Sequence, residues 1–302
     1  MKLSQNNTVI VLGLVAIIGI TVFVFSTSPK DQGVQSSLEN IRLLVATGGG
    51  QQLFELGSKK LEQKFSDIDG DVLDYSTASD TEVLIVSKDG IHRVLARVSG
   101  GEWQTISASP FEKSTLELSD DGNIVGFSER IDTEADSTNL DAWQIVLHSL
   151  DTADTEVVSG YSPQFVTVQE GWTLVYLSSS SGIAMYEPVS KDIIYFSELI
   201  PPSTQLGVRV SADGKTLIAY NPLLQDFVVF DLQDPTSISL SALGTVPLYN
   251  DVYMKNGLLF GLDLEEEGNS VWTHSLSELD SADEVYKLPQ NIDPLKFVLS
   301  SR

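Results

Sequence analysis

The chain contains no cysteine in 302 residues. That excludes disulfides, thiolate metal ligands, a cysteine nucleophile and lipid attachment through an N-terminal cysteine. Positive charge is scarce: 18 Lys and Arg stand against 42 Asp and Glu, a formal net charge of −24. Nucleic acid and anionic lipid headgroups both require phosphate neutralisation by Lys and Arg, so neither is an expected partner. The acidic residues are scattered through turns, the pattern of a solvated surface. Only three histidines occur, His92, His148 and His274, and none has the short spacing of a metal site. They are expected as alternating side chains on half-exposed strands.

Two familiar catalytic signatures are also missing. A serine hydrolase needs a Gly-x-Ser-x-Gly elbow between strand and helix. "VSGYSPQ" from Val157 lacks the second glycine and precedes no helical pattern. "ATGGGQQLFEL" from Ala46 is rich in glycine but has no lysine and meets no helix N-terminus, so a hairpin turn is expected there and not a phosphate loop.

What is present begins with a membrane signal. Thr8–Phe25, "TVIVLGLVAIIGITVFVF", carries no charge. As a helix it rises about 27 Å, near the ~30 Å hydrocarbon core of a bilayer. A cleavable signal peptide has a shorter apolar core, and Pro29 would follow the cut. A retained transmembrane helix over 8–25 is therefore expected, after a short cytoplasmic tail, 1–7. Lys2 lies on one side of it, while Lys30 beside Asp31 lies on the other. The polar stretch 26–37 reads as a linker, leaving 38–302 as an extracytoplasmic domain. A composition with 42% hydrophobic and 20% charged residues is that of a globular domain.

The domain repeats itself. "LELSDDGNIVGFSE" has its turn glycine at Gly122, "FVTVQEGWTLVYLS" at Gly171, "VRVSADGKTLIAYN" at Gly214 and "DVYMKNGLLFGLD" at Gly257. The intervals are 49, 43 and 43 residues, and "YSTASDTEVLIVSK" adds a copy 41 residues earlier with Thr81 in the turn. Glycine suits such turns because it adopts positive φ without steric cost. Each hairpin is followed by a third and a fourth strand, among them "DFVVFDL" leading to "TSISLS" in the copy at Gly214. Four short antiparallel strands at a near-constant interval are the unit of a β-propeller. A β-sandwich also has short strands, but gives no reason for one hairpin to recur.

The ends of the domain complete the count. "IRLLVATGG", "QQLFELG" and "KLEQKFS" supply three strands with no first strand before them, and "DPLKFVLSSR" aligns with "STLELSDDG". A six-bladed all-β propeller is predicted, closed by "PLKFVLS" as innermost strand of the first blade, with no free sheet edge. "LSDDGNIVGFS" and "VSADGKTLIAYN" resemble the Ser-x-Asp-Gly repeats of TolB-type, WD-repeat-like six-bladed propellers. The resemblance covers about Glu39 to Arg302, with the full motif in two blades, and it implies a binding platform.

Three features are candidates for function. "SDIDGDVLDYS" places Asp67, Asp69, Asp71 and Asp74 within eight residues. Carboxylates at alternating loop positions can wrap a hard cation such as calcium. The pattern resembles the calcium loops of integrin-type propellers, but Val72 replaces a glycine and the last carboxylate comes one residue early. The alternative is an acidic turn between blades. The long insertion Ser128–Trp143 could greet a basic partner or be solvated, and Leu199–Gly207 is stiffened by two prolines. Trp103, Trp143, Trp172 and Trp272 are expected to pack between blades, the alternative being a platform for an aromatic ligand. No cofactor is expected, calcium being the one candidate.

Two functions compete. The favoured one is a single-pass membrane protein whose extracytoplasmic propeller, not an enzyme, binds an envelope or cell-surface protein. The alternative is a hydrolase or lyase using central-channel carboxylates, with calcium as a candidate cofactor. The innermost strands are read as poor in the converging polar groups an enzyme needs, Arg209 and Asp251 being the two charges weighed.

Overall fold

The computed structural model describes residues 38–98, 100–167, 173–196, 208–211, 213–232, 240–265 and 268–300. The expected membrane-spanning segment, Thr8–Phe25, the linker and the connection Leu199–Gly207 lie outside them. Among the described residues no helix is long and apolar enough to cross a membrane.

Middle strands of a blade are covered on both faces, so their sequences are near-continuous apolar runs, as in "TLVYLSS" (Thr173–Ser179) and "TLIAYN" (Thr216–Asn221). Outer strands face water, and Lys60–Glu62 and Asp192–Tyr195 are exposed throughout. The described residues form six sheets, five of four strands and one of five, antiparallel except for one short parallel pairing in the five-stranded sheet. Their innermost strands are Asp293–Phe297, Asp71–Ala78, Lys113–Leu118, Tyr161–Thr167, Val208–Val210 and Asp251–Lys255, in the first to the sixth blade. This is a six-bladed β-propeller.

The core is divided between the blades. Six buried clusters each draw side chains from two neighbouring blades. One joins the last blade to the first, with Phe260, Leu262 and Val271 against Leu43, Phe54 and Phe297. Trp103 and Trp272 pack against two of these clusters, while Trp143 is buried edge-to-face on Tyr161. Trp172 lies outside the described residues.

The recurring hairpins have a common mechanism. In the third blade Ser119 Oγ donates to Asp121 Oδ1 at 2.6 Å and accepts from the Ile124 amide at 2.9 Å. In the fifth, Ser211 Oγ donates to Asp213 at 2.6 Å and accepts from the Thr216 amide at 2.9 Å. Serine and aspartate thus satisfy backbone groups that the turn leaves without ladder partners, and Gly122 and Gly214 supply φ of 77° and 68°. The sixth blade uses a tighter form, with Asn256 and Gly257 both at positive φ between paired Lys255 and Leu258.

Ring closure follows the expectation, with one correction. Phe297 pairs with Leu43, Lys296 with Leu44 and Asp293 with Ala46, so strands about 250 residues apart share a sheet. Yet Leu299 and Ser300 do not continue in that blade. They cross to the second and pair in parallel with Ser76 and Thr77. Val298 makes the last bond to the first blade, its amide donating to Arg42 O at 2.8 Å, while its side chain enters the cluster between the first and second blades. Burial of that side chain carries the chain across. In the fifth blade the described fourth strand is Ser241–Val246, while all of the expected "TSISLS" before Leu240 lies outside the described residues. Phe227 pairs with Val246, and both are buried toward the sixth blade, which sets the register.

Candidate functional site

The axial channel is where the innermost strands meet, and it holds more charge than the sequence reading allowed. Arg209 and Asp251 are joined there by Asp74, Glu117 and Lys296. Irregular backbone accompanies several of these positions. Register shifts lie between Val72 and Asp74, between Ser114 and Glu117, between Tyr161 and Gln164, and opposite Leu44 and Val45 where Lys296 and Pro294 pair. An extra residue in one strand re-aims the side chains that follow it. Thr115 and Ser162 sit in two of these bulges at φ of 48° and 60°. The strict alternation assumed from sequence fails at the axis, which is why Asp74, Glu117 and Lys296 were not recognised as neighbours there.

These groups form a closed circuit of contacts between blades. Lys296 Nζ of the first blade lies 2.5 Å from Asp74 Oδ2 of the second. Asp74 Oδ2 also accepts from the Leu116 amide of the third at 2.8 Å. Glu117 Oε2 of the third accepts from the Phe165 amide of the fourth at 3.2 Å. Arg209 of the fifth donates to Ser162 Oγ of the fourth at 3.1 Å and to Asp251 Oδ1 of the sixth at 3.2 Å. Asp251 Oδ2 accepts from the Phe297 amide of the first at 2.7 Å, completing the ring. Asp74 and Asp251 each take a further amide from the next residue in their own strand. Arg209 Nε is buried without a partner among the described residues.

Glu117 differs from the other two carboxylates. Burial pushes its carboxyl well above the ordinary 4.5, against the opposing pull of Arg209 and the Phe165 amide. By area the side chain keeps some contact with channel water, but the blades surround it, and that enclosure governs the solvation of its charge. Ionised, it would make a third carboxylate facing two cations. Because the folded-state pKa is raised, the folded protein holds more protons than the unfolded chain above pH about 4.5. Stability from this group is therefore full below that pH and is lost as pH rises toward the folded value. Glu117→Gln, whose carbonyl can still accept from Phe165, is expected to melt like the parent at pH 4 and higher than the parent at pH 8. A melting curve at each pH checks this. Each pKa unit corresponds to about 1.4 kcal/mol.

The four carboxylates proposed for calcium do not converge. Asp67 lies 3.6 Å from Arg97 and Asp69 pairs with Lys88. Asp71 opens the innermost strand in an exposed position, and Asp74 is turned into the channel toward Lys296. Among the described residues no group of three or more such side chains is placed to hold a metal ion. Calcium is expected to leave the melting temperature unchanged. A site filled at 100 times its dissociation constant would add about 2.7 kcal/mol, and an upward shift abolished by Asp69→Ala would restore the site.

The remaining candidates resolve into structure. His274 is buried, its Nδ1 donating to Leu279 O at 2.9 Å and its Nε2 2.7 Å from Tyr249 Oη. It is not the half-exposed strand side chain expected, because the Tyr249 ring covers it. His148 contacts Thr155 Oγ1, and His92 Nδ1 is buried without a partner among the described residues. In the insertion, Asp132 caps the amides of Glu134 and Ala135, and Asp136 caps Thr138. Arg130 ties the loop down through Ala135 O and Glu112.

A cleft opens among the described residues at one end of the ring. At this end, where the innermost strands turn back, it measures about 700 Å³ and is bounded by the first, second, fifth and sixth blades. Arg42, Lys215 and Lys255 line it with Asp213, beside Tyr253, Met254 and Leu276.

No protein-family profile matches this sequence, and no curated protein matches it significantly. Its fold does recur among solved structures. TolB from Acinetobacter baumannii superposes with a TM-score of 0.58 at 12% identity, over 78% of this chain and 61% of that one. A chain of a nidogen/laminin complex gives 0.56 at 13%, over 86% and 98%. An oligogalacturonate lyase in complex with manganese gives 0.55 at 12%, over 80% and 73%. The chain thus spans under two thirds of the TolB structure. Identities this low show a shared propeller fold, on which both binding proteins and enzymes are built.

Proposed function

We propose that this protein is a binding propeller of the TolB-type, WD-repeat-like kind, held at the outer face of a membrane by Thr8–Phe25 and engaging an envelope or cell-surface protein. The observation that carries the reading is the circuit in the channel. Asp74 and Asp251 each bind two amides and a cation, which leaves them little capacity to receive a substrate. A channel built this way holds the blades together and leaves recognition to the rims and turns, where loops carry function on a rigid scaffold. Two of the superposable structures, TolB and the nidogen/laminin chain, are compatible with that role by fold alone.

The competing reading, a hydrolase or lyase, is favoured by one observation, the raised carboxyl of Glu117 in an enclosed channel beside Arg209. Such a group can act as a general acid near neutral pH. Affinity capture with the full chain, from envelope extract of the native host, separates the two. A stoichiometric protein partner that survives Glu117→Gln supports binding. Turnover of a glycan or ester panel that is abolished by Glu117→Gln supports catalysis. Recovery of mature protein containing Thr8–Phe25 from the membrane fraction by mass spectrometry tests the anchor; a soluble product starting near Pro29 would refute it.

A further inference from the structure

We infer that the cleft at one end of the ring receives an acidic peptide segment of the partner, a proposal that rests on the protein-binding reading above. Its walls are the reverse of the molecule's general character. A chain with 42 acidic and 18 basic residues places three cations, Arg42, Lys215 and Lys255, against one carboxylate in a single opening. That carboxylate, Asp213, is already engaged by Ser211 Oγ and the Lys215 amide. Arg42 and Lys215 have no ion-pair partner among the described residues, and Lys255 Nζ donates to Glu39 O at 2.9 Å. The cations come from three consecutive blades, the fifth, sixth and first, and so do not line one strand. Tyr253, Met254 and Leu276 give the same cleft an apolar wall. Its volume falls within the range of ligand pockets.

The chemistry selects the occupant. Arginine and lysine recognise carboxylates by charge-assisted hydrogen bonds, and the apolar wall accepts an intervening aliphatic or aromatic side chain. The rim discriminates further. Asp80, Asp120 and Asp121 stand in the first turns of the neighbouring second and third blades at the same end of the ring, and Ser79 Oγ touches Asp120 O. A broad anionic surface such as a bilayer meets these carboxylates, whereas a narrow segment entering the cleft meets the cations. The leader of this chain is a poor occupant, since residues 1–37 contain one acidic residue, Asp31, and two lysines.

The test uses the full chain in detergent and a fluorescein-labelled peptide, Glu-Glu-Phe-Glu-Glu-Leu, followed by anisotropy. Saturable binding is expected, weakening several-fold between 50 and 200 mM salt as exposed charges are screened. The double variant Arg42→Gln, Lys215→Gln should bind about fivefold or more weakly while melting like the parent. Lys191→Gln, distant on the fourth blade and paired with Glu156, should bind like the parent. Absence of saturable binding, or equal binding by the double variant, overturns the inference. Competition by succinate or phosphate at the peptide's own concentration overturns the choice of a peptide. So does self-association of the chain that the double variant abolishes, since the occupant would then be a second copy. Envelope capture with the double variant distinguishes the two levels. Retention of the parent's partner defeats the cleft and leaves the binding reading intact, whereas no partner for either protein defeats the binding reading.

Discussion

Deleting Pro294–Arg302 is expected to open the propeller, giving a protein that aggregates or loses several kcal/mol of stability. The deletion removes the innermost strand of the first blade and the parallel pairing on the second. Leu43, Leu44 and Val45 would lose their strand partners, leaving ladder groups unpaired on a newly exposed edge. It also removes Phe297 from the cluster joining the last blade to the first and Val298 from the cluster joining the first to the second. A buried Phe→Ala change alone costs about 3–5 kcal/mol. The channel circuit breaks twice, since Asp74 loses Lys296 and Asp251 loses the Phe297 amide. An ordinary chain end, by contrast, can be trimmed at almost no cost. Phe297→Asp and Val298→Asp, which place a charge in these two clusters from opposite faces of the strand, should reproduce much of the defect. Thermal melting and size-exclusion chromatography give the readout. A truncated protein that melts like the parent would sink the closure.

Arg209→Met is expected to cost about 3 kcal/mol, the lower part of the range for removing one member of a buried ion pair. Arg209 and Asp251 are both buried, with side chains 8% and 5% exposed. Methionine fills similar space, but Asp251 keeps only its two amide donors, Ser162 Oγ loses a donor, and Glu117 loses its strongest cationic influence. One gain opposes this, because the unpartnered Arg209 Nε disappears. The double variant Arg209→Met, Asp251→Leu should recover part of the loss, since no charge is then stranded; replacing a whole buried pair by apolar groups is often neutral. Denaturant midpoints for the two single variants and the double variant measure the coupling. A single variant within about 0.5 kcal/mol of the parent would show that the ring of charges is ornamental to stability.

These expectations follow from features that differ in how far the sequence exposes them. The repeat interval, the hairpin turns and the order of strands could be read directly, because each is a local property. Serine and aspartate at 119 and 121, or 211 and 213, stabilise their turn with groups two to five residues away. Closure by the C-terminal strand was legible for the same reason, since a blade with three strands at one end requires a fourth of matching pattern. The crossing of Leu299 and Ser300 to the second blade was not, because it depends on where Val298 finds apolar neighbours.

By itself, the sequence determined six blades, their approximate boundaries and the closing strand. Only the tertiary structure decided the functional geometry. Period-two alternation assigns a side chain to a face of its own strand, but bulges near Asp74, Glu117 and Lys296 break that period at the axis. Ion pairs such as Lys296–Asp74, 222 residues apart, depend on the angle between blades. The Asp67–Asp74 run shows the converse: carboxylates close in sequence diverge, Asp67 and Asp69 pairing from the loop with Arg97 and Lys88 and Asp74 from the strand with Lys296. The cationic cleft was invisible for the same reason, as Arg42, Lys215 and Lys255 belong to three blades and meet only when the ring is closed.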